Sequence, residues 1–143
     1  MSAAVSPALQ SAVVLCIDDN EDVLECEKSF LESFGYTVLT APNGGQGLEL
    51  ASIQPVDVVV VDYFMPEMNG QDVAIAMRRL RPKTPIILLT GAVDVPAQTL
   101  NLVDAFVAKN RLGSQLLPVI EQLHRSGSIF HNGVGPPQEE FDA

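Results

Sequence analysis

Basic residues are scarce in this chain of 143 residues: eight Lys and Arg stand against 18 Asp and Glu, a formal net charge of −10 at pH 7. Nucleic-acid binding needs a basic stripe that displaces counterions, so the balance argues against that class of function. The cations that do cluster, Arg78, Arg79, Arg81 and Lys83, fall at the end of a predicted helix. Cations complement the helix dipole there, and the cluster reads as a solvated helix end. Cysteine is scarcer still. Cys16 and Cys26 make no disulfide framework and lack metal-ligand spacing. Both read as small core residues in a reducing compartment. No apolar run approaches the ~18 residues of a membrane span. Positions 1–10 lack the basic start and long apolar run of a signal peptide. The expectation is a soluble, cytoplasmic protein with neither membrane nor nucleic acid as partner.

What is present is a core. The hydrophobic fraction is 47%, and a chain of this length fits one domain that buries roughly two-thirds of its unfolded surface. Positions 56–66 carry the strongest signal, Val-Asp-Val-Val-Val-Val-Asp-Tyr-Phe-Met-Pro. A β-branched run with almost no polar alternation reads as a strand buried on both faces, as in a parallel sheet. It ends on Asp62, where open α/β sheets form their sites.

The rest of the chain alternates strands and helices. Positions 12–17 read as a strand running into Asp18-Asp19-Asn20, with Asn20 capping a helix over 21–34. Val23, Cys26, Phe30 and Phe34 mark its apolar stripe, with Leu24 and Leu31 beside it. Positions 36–40 alternate enough for a strand nearer an edge. Asn43-Gly44-Gly45 opens a helix to about 53. After the buried strand, a helix to about 80 turns Val73, Met77 and Leu80 inward. A strand at 86–89 ends at Thr90, a short helix covers 96–102, and a strand at 104–108 ends at Lys109. Ser114 caps a last helix to about 125, whose Leu116, Ile120 and Leu123 share a face; Pro118 then lies in or near its first turn. Positions 1–10 and 127–143 read as flexible ends around one folded unit at 11–126. Five strands and five helices in alternation predict an α/β fold: a doubly wound five-stranded parallel sheet with right-handed crossovers.

Collected at the carboxyl ends of the strands, the polar residues are Asp18 and Asp19, Asp62, Thr90 and Lys109. Crowded carboxylates raise one another's pKa values unless a cation joins them. An all-oxygen set with few protein carboxylates suits Mg²⁺, which keeps several waters. A metal draws in a phosphate-bearing ligand, a hydroxyl and an ammonium stabilise the oxygens of a transferring phosphoryl group, and Asp62 can be its nucleophile. Each element alone has a plain reading as a cap, a turn residue or a solvated side chain. Their joint occurrence, in order, at four strand ends is what is specific.

These pieces resemble a known family. Val14 to Asn20, Val60 to Gly70, Pro85 to Gly91 and Asp104 to Lys109 are together similar to the response-regulator receiver domain of two-component signalling. The resemblance covers positions 12–125. It implies that Asp62 accepts a phosphoryl group from a phosphohistidine on a histidine kinase or phosphotransfer protein. It implies Mg²⁺ held by Asp19, Asp62 and the Phe64 backbone carbonyl, with Asp18 acting largely through a metal-bound water. Thr90 and Lys109 bind the phosphoryl oxygens, and Phe106 matches the switch aromatic that follows the threonine. Such a protein catalyses its own phosphorylation and is not an enzyme in the usual sense. Its output is a downstream protein partner or an output domain outside this chain.

Several positions depart from the family pattern. Asn110 replaces the proline that usually follows the lysine. A cis bond without proline costs ~2.5–4 kcal/mol, so a trans bond is expected, with Lys109 reaching the site less closely. The segment from Thr90 to Lys109 is short, so the fourth helix should be short or partly irregular, and its uncharged sequence disfavours a salt-bridged dimer. Phe64 and Ala92, which flank the site, offer no group to orient a hydrolytic water, which predicts slow self-dephosphorylation. Three other readings compete: a phosphorylation-independent binding module of the same fold, a hydrolase of the haloacid-dehalogenase type, and a flavodoxin-like flavin binder. The hydrolase needs an acid at position 64, where phenylalanine stands. The flavin binder needs a phosphate loop after the first strand, and none is there.

Overall fold

The buried run at 56–66 does form the middle of the structure. In the computed structural model, which describes residues 12–91 and 95–131 with side chains to Arg125, β3 (Val58–Asp62) has all five residues buried. Its neighbour β4 (Ile86–Thr90) is equally buried. The other strands are β1 (Val13–Ile17), β2 (Thr37–Ala41) and β5 (Ala105–Ala108). All pair in parallel in the order β2-β1-β3-β4-β5. The first strand therefore lies beside the third, and β2 is an edge, as its alternation predicts. The expected flexible end at 1–10 lies outside the described residues, as do Ala92 and positions 132–143 of the end expected at 127–143; positions 127–131 instead belong to the last helix.

Parallel strands need helices on both faces. Along each strand the side chains alternate, so two cores form. Val14, Cys16, Val58, Val60, Ile87 and Leu89 face α1 (Glu21–Glu32) and α5 (Leu112–His131), meeting Leu24, Leu31, Leu116 and Ile120. Leu15, Ile17, Val59, Val61, Ile86 and Leu88 face the other way, towards α2 (Gly44–Ile53) and α3 (Gly70–Leu80), meeting Ala51, Val73, Ala74 and Met77. Each fully buried aliphatic side chain contributes roughly 1.5–3 kcal/mol. The short helix α4 (Ala97–Leu102) is six residues long and buries Thr99, whose hydroxyl donates to Gln71 on α3. Asn20, Asn43 and Asn69 cap α1, α2 and α3, and Asp72 completes a capping box with Asn69.

Four local expectations are corrected. On α1 the buried stripe is Leu24, Glu27 and Leu31, while Cys26 and Phe34 are exposed. On α3, Leu80 is exposed and Ala74 takes the inward place. The basic cluster is not simply solvated. Arg78 donates to the Thr84 carbonyl at 2.9 Å and to Asp104 Oδ2 at 2.6 Å, and Arg81 donates to the carbonyls of Ala51 and Val56 at 3.2 and 3.1 Å. These bonds tie α3 to backbone carbonyls in the last turn of α2 and just ahead of β3 and β4. Finally, α5 begins at Leu112, directly after a 3₁₀ turn over Lys109–Arg111, and continues to His131. Pro118 is therefore in its second turn, where it removes the bond to the Ser114 carbonyl.

Candidate functional site

Three strand ends deliver the acids and their cation. Asp18 follows β1, and its amide continues the sheet by donating to the Ala41 carbonyl at 3.1 Å. Its side chain is fully buried. Oδ1 accepts from the Asn20 amide at 2.9 Å, while Asn20 Oδ1 accepts from the amides of Asp22 and Val23 at 2.9 and 3.2 Å. The cap that starts α1 thus also fixes Asp18. Asp19 is exposed beside it. Asp62 closes β3 opposite Leu89 and is 3% exposed. One oxygen of each of Asp18, Asp19 and Asp62 lies within 4.8 Å of the others.

Lys109 enters from the 3₁₀ turn after β5. Its Nζ is 3.2 Å from Asp62 Oδ1 and 3.3 Å from Asp18 Oδ2. The Lys109–Asn110 bond is trans, as expected. Contrary to expectation, the missing proline does not keep the ammonium from the site. Burial pushes the Asp62 carboxyl up to about 6, and the Asp18 charge adds to this while Lys109 opposes it. Burial also pulls Lys109 down, but Asp62 and Asp18 outweigh it and its pKa is raised. Each group's ionisation thus depends on the others.

The remaining predicted site residues fall around this cluster. Thr90 ends β4 and is buried, in register with Ala108 just before the lysine. Phe64 lies two residues beyond β3 and is 57% exposed, its ring edge-on to Tyr63 at 4.8 Å between centroids. Phe106 is on β5 opposite Leu88 and is 57% exposed, so it is not a packed core residue. The loop from Pro66 to Gly70 leads from the Asp62 strand end into α3. Met68 N donates to the Pro66 carbonyl at 2.7 Å across Glu67, whose φ of 71° is the rare positive kind in a γ-turn. Gly70 N donates to the Tyr63 carbonyl at 2.8 Å. A Cβ on Gly70 would stand 2.8 Å from Tyr63 Cα and 3.0 Å from the Asp62 carbonyl, so only glycine fits this approach.

Sequence reasoning missed one charged residue near the site. Glu27 is 3% exposed, and the hydrogen-bonding neighbour of its carboxyl is the weak donor of the Cys16 thiol. Burial pushes its carboxyl up to about 7; the Cys16 thiol and Lys109 oppose that rise, while Asp18 and Asp62 add to it. The signal was available in the helical spacing of 24, 27 and 31, but a glutamate on a core stripe is easily assigned to solvent.

A doubly wound parallel sheet with three carboxylates and a lysine gathered at its strand ends is an α/β protein whose polar cluster sits where such sheets form their sites. Comparison with known proteins narrows it. The family model described as "Response regulator receiver domain" matches residues 14–117. The chain belongs to the response regulator receiver domain family. It is 29% identical over 137 residues to the transcriptional regulatory protein CpxR of Escherichia coli (strain K12), covering 91% of this chain and 58% of CpxR. It is 37% identical over 82 residues to the autoinducer 1 sensor kinase/phosphatase LuxN of Vibrio harveyi, covering 57% of this chain and 10% of LuxN. The chain thus spans little more than half of CpxR. Among solved structures, a response regulator receiver domain protein from Clostridium thermocellum superposes with a TM-score of 0.76 at 27% identity, covering 83% of this chain and 98% of that one. The response regulator TrrA from Thermotoga maritima, solved in complex with Mg²⁺ and BeF, gives 0.74 at 28% identity, covering 78% and 98%. The five-stranded parallel architecture is shared with these neighbours. No helix among the described residues is long and apolar enough to cross a membrane.

Proposed function

We propose that Asp62 is the phosphoacceptor of a phosphorelay. It takes a phosphoryl group from a phosphohistidine on a histidine kinase or histidine phosphotransfer protein. One observation carries this reading: a single lysine ammonium bridges two buried carboxylates, Asp18 and Asp62, inside a cluster of three. That set is short of positive charge. Its oxygens suit a hard divalent cation that retains waters, so Mg²⁺ fits Asp18, Asp19 and Asp62, with the Phe64 carbonyl as a further ligand. When bound, such an ion supplies charge neutralisation of the phosphoryl oxygens.

The chain's own residues supply the rest. An Asp62 oxygen forms the new O–P bond as the P–N bond to the histidine breaks, and the imidazole leaves with the electron pair. Lys109, already at hydrogen-bonding distance from Asp62, is placed to pair with the transferred group. The Thr90 hydroxyl is the second donor, from the adjacent strand end. Phosphorylation then biases two packings of Thr90 and the exposed Phe106, altering a protein-interaction face. The working unit in this reading is 11–126, in the cytoplasm. It acts either alone on a protein partner or as the receiver of a longer protein, as its similarity to only part of CpxR and of LuxN suggests. With phenylalanine at position 64, self-dephosphorylation is slow.

The test is incubation with Mg²⁺ and acetyl phosphate followed by intact mass measurement. Wild type gains one phosphoryl group and Asp62→Asn gains none. A protein that takes no phosphoryl group from any donor is a binding module of the same fold, and sustained phosphate release from varied esters marks a hydrolase.

A further inference from the structure

Four of the chain's eight cations, Arg78, Arg79, Arg81 and Lys83, fall together at the end of α3. Only Arg78 has a carboxylate partner, Asp104, among the described residues. Arg81 directs its donors to the Thr84 hydroxyl and to two backbone carbonyls, so its charge is not neutralised. Arg79 and Lys83 are exposed, and among the described residues neither makes an ion pair. That is unexpected in a chain with 18 acids. The same cations frame apolar surface. Leu80 is 42% exposed, and Ile53, at the end of α2, is 70% exposed. Arg81 donates to the Ala51 carbonyl and so draws the ends of the two helices together. Beside it a shallow groove of about 290 Å³ is lined by Leu80, Arg81, Pro82, Lys83 and Thr84. Exposed apolar surface rimmed by polar groups is a mark of an interaction site.

We propose that this patch is the docking site for the acidic segment of the same chain at 138–143, Gln-Glu-Glu-Phe-Asp-Ala, with Phe141 on Leu80 and Ile53 and the acids facing Arg79, Arg81 and Lys83. Complementarity selects the occupant. The segment has three carboxylates, Glu139, Glu140 and Asp142, around one aromatic ring, and no cation. The patch has three cations without carboxylate partners around two exposed aliphatic side chains. The path of the chain permits the contact. α3 and α5 both start beyond the carboxyl ends of the strands and run back towards their amino ends, so α5 leads the chain to the end of the sheet where the patch lies. Phe141 is ten positions beyond His131, the last residue of α5. Ten residues reach at most roughly 33–36 Å, about the diameter of a small domain. A tethered segment acts at an effective concentration on the order of mM, so each contact can be weak. The patch lies at the opposite end of the sheet from Asp62, and the proposal does not depend on phosphorylation.

Backbone amide chemical shifts of the full chain test this. Phe141→Ala, and separately Glu139→Gln with Glu140→Gln, should move the amides of Ile53, Leu80, Arg81, Lys83 and Thr84. The amides of Asp18, Asp62 and Lys109 should stay in place. A synthetic peptide of positions 136–143, titrated into the Phe141→Ala chain, should return the patch amides to their wild-type positions. The same peptide with Glu139→Gln, Glu140→Gln and Asp142→Asn should bind roughly tenfold more weakly, as the loss of three exposed ion pairs implies. Lys83→Glu, at an exposed position, should weaken the acidic peptide as well and leave the fold intact. The proposal fails if either tail variant leaves the patch amides unmoved, or if the neutral peptide binds as well as the acidic one. It fails equally if the wild-type patch shifts change on dilution, which would mark a second copy as the source of the segment.

Discussion

Replacing Glu27 with leucine should make this protein more stable, and by an amount that depends on pH. Glu27 occupies the middle of the buried α1 stripe between Leu24 and Leu31. Its carboxyl is raised from 4.5 to about 7, chiefly by burial. The sign follows from proton counting. Between pH 4.5 and 7 the folded protein keeps a proton on Glu27 that the unfolded chain has already lost. Stability therefore falls as pH rises through this window and levels off above it. At 1.36 kcal/mol per pH unit, the cost of the ionised carboxyl is about 1 kcal/mol at pH 5 and about 3 kcal/mol at pH 8. Glu27→Leu removes it and adds apolar contact with both neighbours. Urea unfolding of wild type and variant at the two pH values, without divalent metal, measures the difference. The advantage of leucine should grow by about 2–3 kcal/mol from pH 5 to pH 8. An advantage that is the same at both pH values, or a variant less stable than wild type at pH 8, would refute the reasoning.

Other perturbations probe the loop and the acid cluster. Glu67→Val places a β-branched residue at a φ of 71° and should cost about 1–2 kcal/mol in thermal unfolding, whereas Glu67→Gly should cost nothing measurable. Gly70→Ala forces a methyl against the backbone of Asp62 and Tyr63; a loss of about 1–3 kcal/mol should accompany slower phosphorylation by acetyl phosphate. Because Asp62 titrates at about 6 and a ligating carboxylate must be deprotonated, Mg²⁺ affinity should drop as pH falls below that value, approaching tenfold per pH unit. Calorimetric Mg²⁺ titrations that agree between pH 7 and pH 5 would contradict the metal assignment to Asp62.

How much of this was legible in the sequence depends on what each residue answers to. The strands were readable because β3 and β4 are buried on both faces, and double burial leaves no room for polar residues to blur the pattern. The strand-end residues Asp18, Asp62 and Lys109 were legible for the same reason, since each interrupts an apolar run. The face of α1 was not. Its apolar Cys26 lies outside the stripe, Phe34 falls beyond its last turn, and its Glu27 lies inside, so hydrophobicity pointed the wrong way. The start of α5 was misplaced because Ser114 has the chemistry of a cap, while the turn over Lys109–Arg111 already feeds the helix. The bonds that Arg78 makes to Asp104 and Arg81 makes to Ala51 and Val56 join positions 25 to 30 apart in sequence, which no local period can show.

The same contrast explains why the site survives without the proline usual after its lysine. The position of Lys109 Nζ is set by three things that do not involve the next peptide bond. β5 is in register with β4, so that Ala108 stands opposite Thr90. The 3₁₀ turn begins at Lys109 itself, which redirects the chain at that residue. Asp18 and Asp62, both buried, attract the ammonium from two strand ends at once. A lysine held by two carboxylates loses little when one backbone constraint is relaxed, because the alternative is to leave two buried charges unpaired, at several kcal/mol. The acids therefore position the lysine as much as the lysine stabilises the acids. Removing either acid should disturb the geometry of the remaining pair more than any change at Asn110.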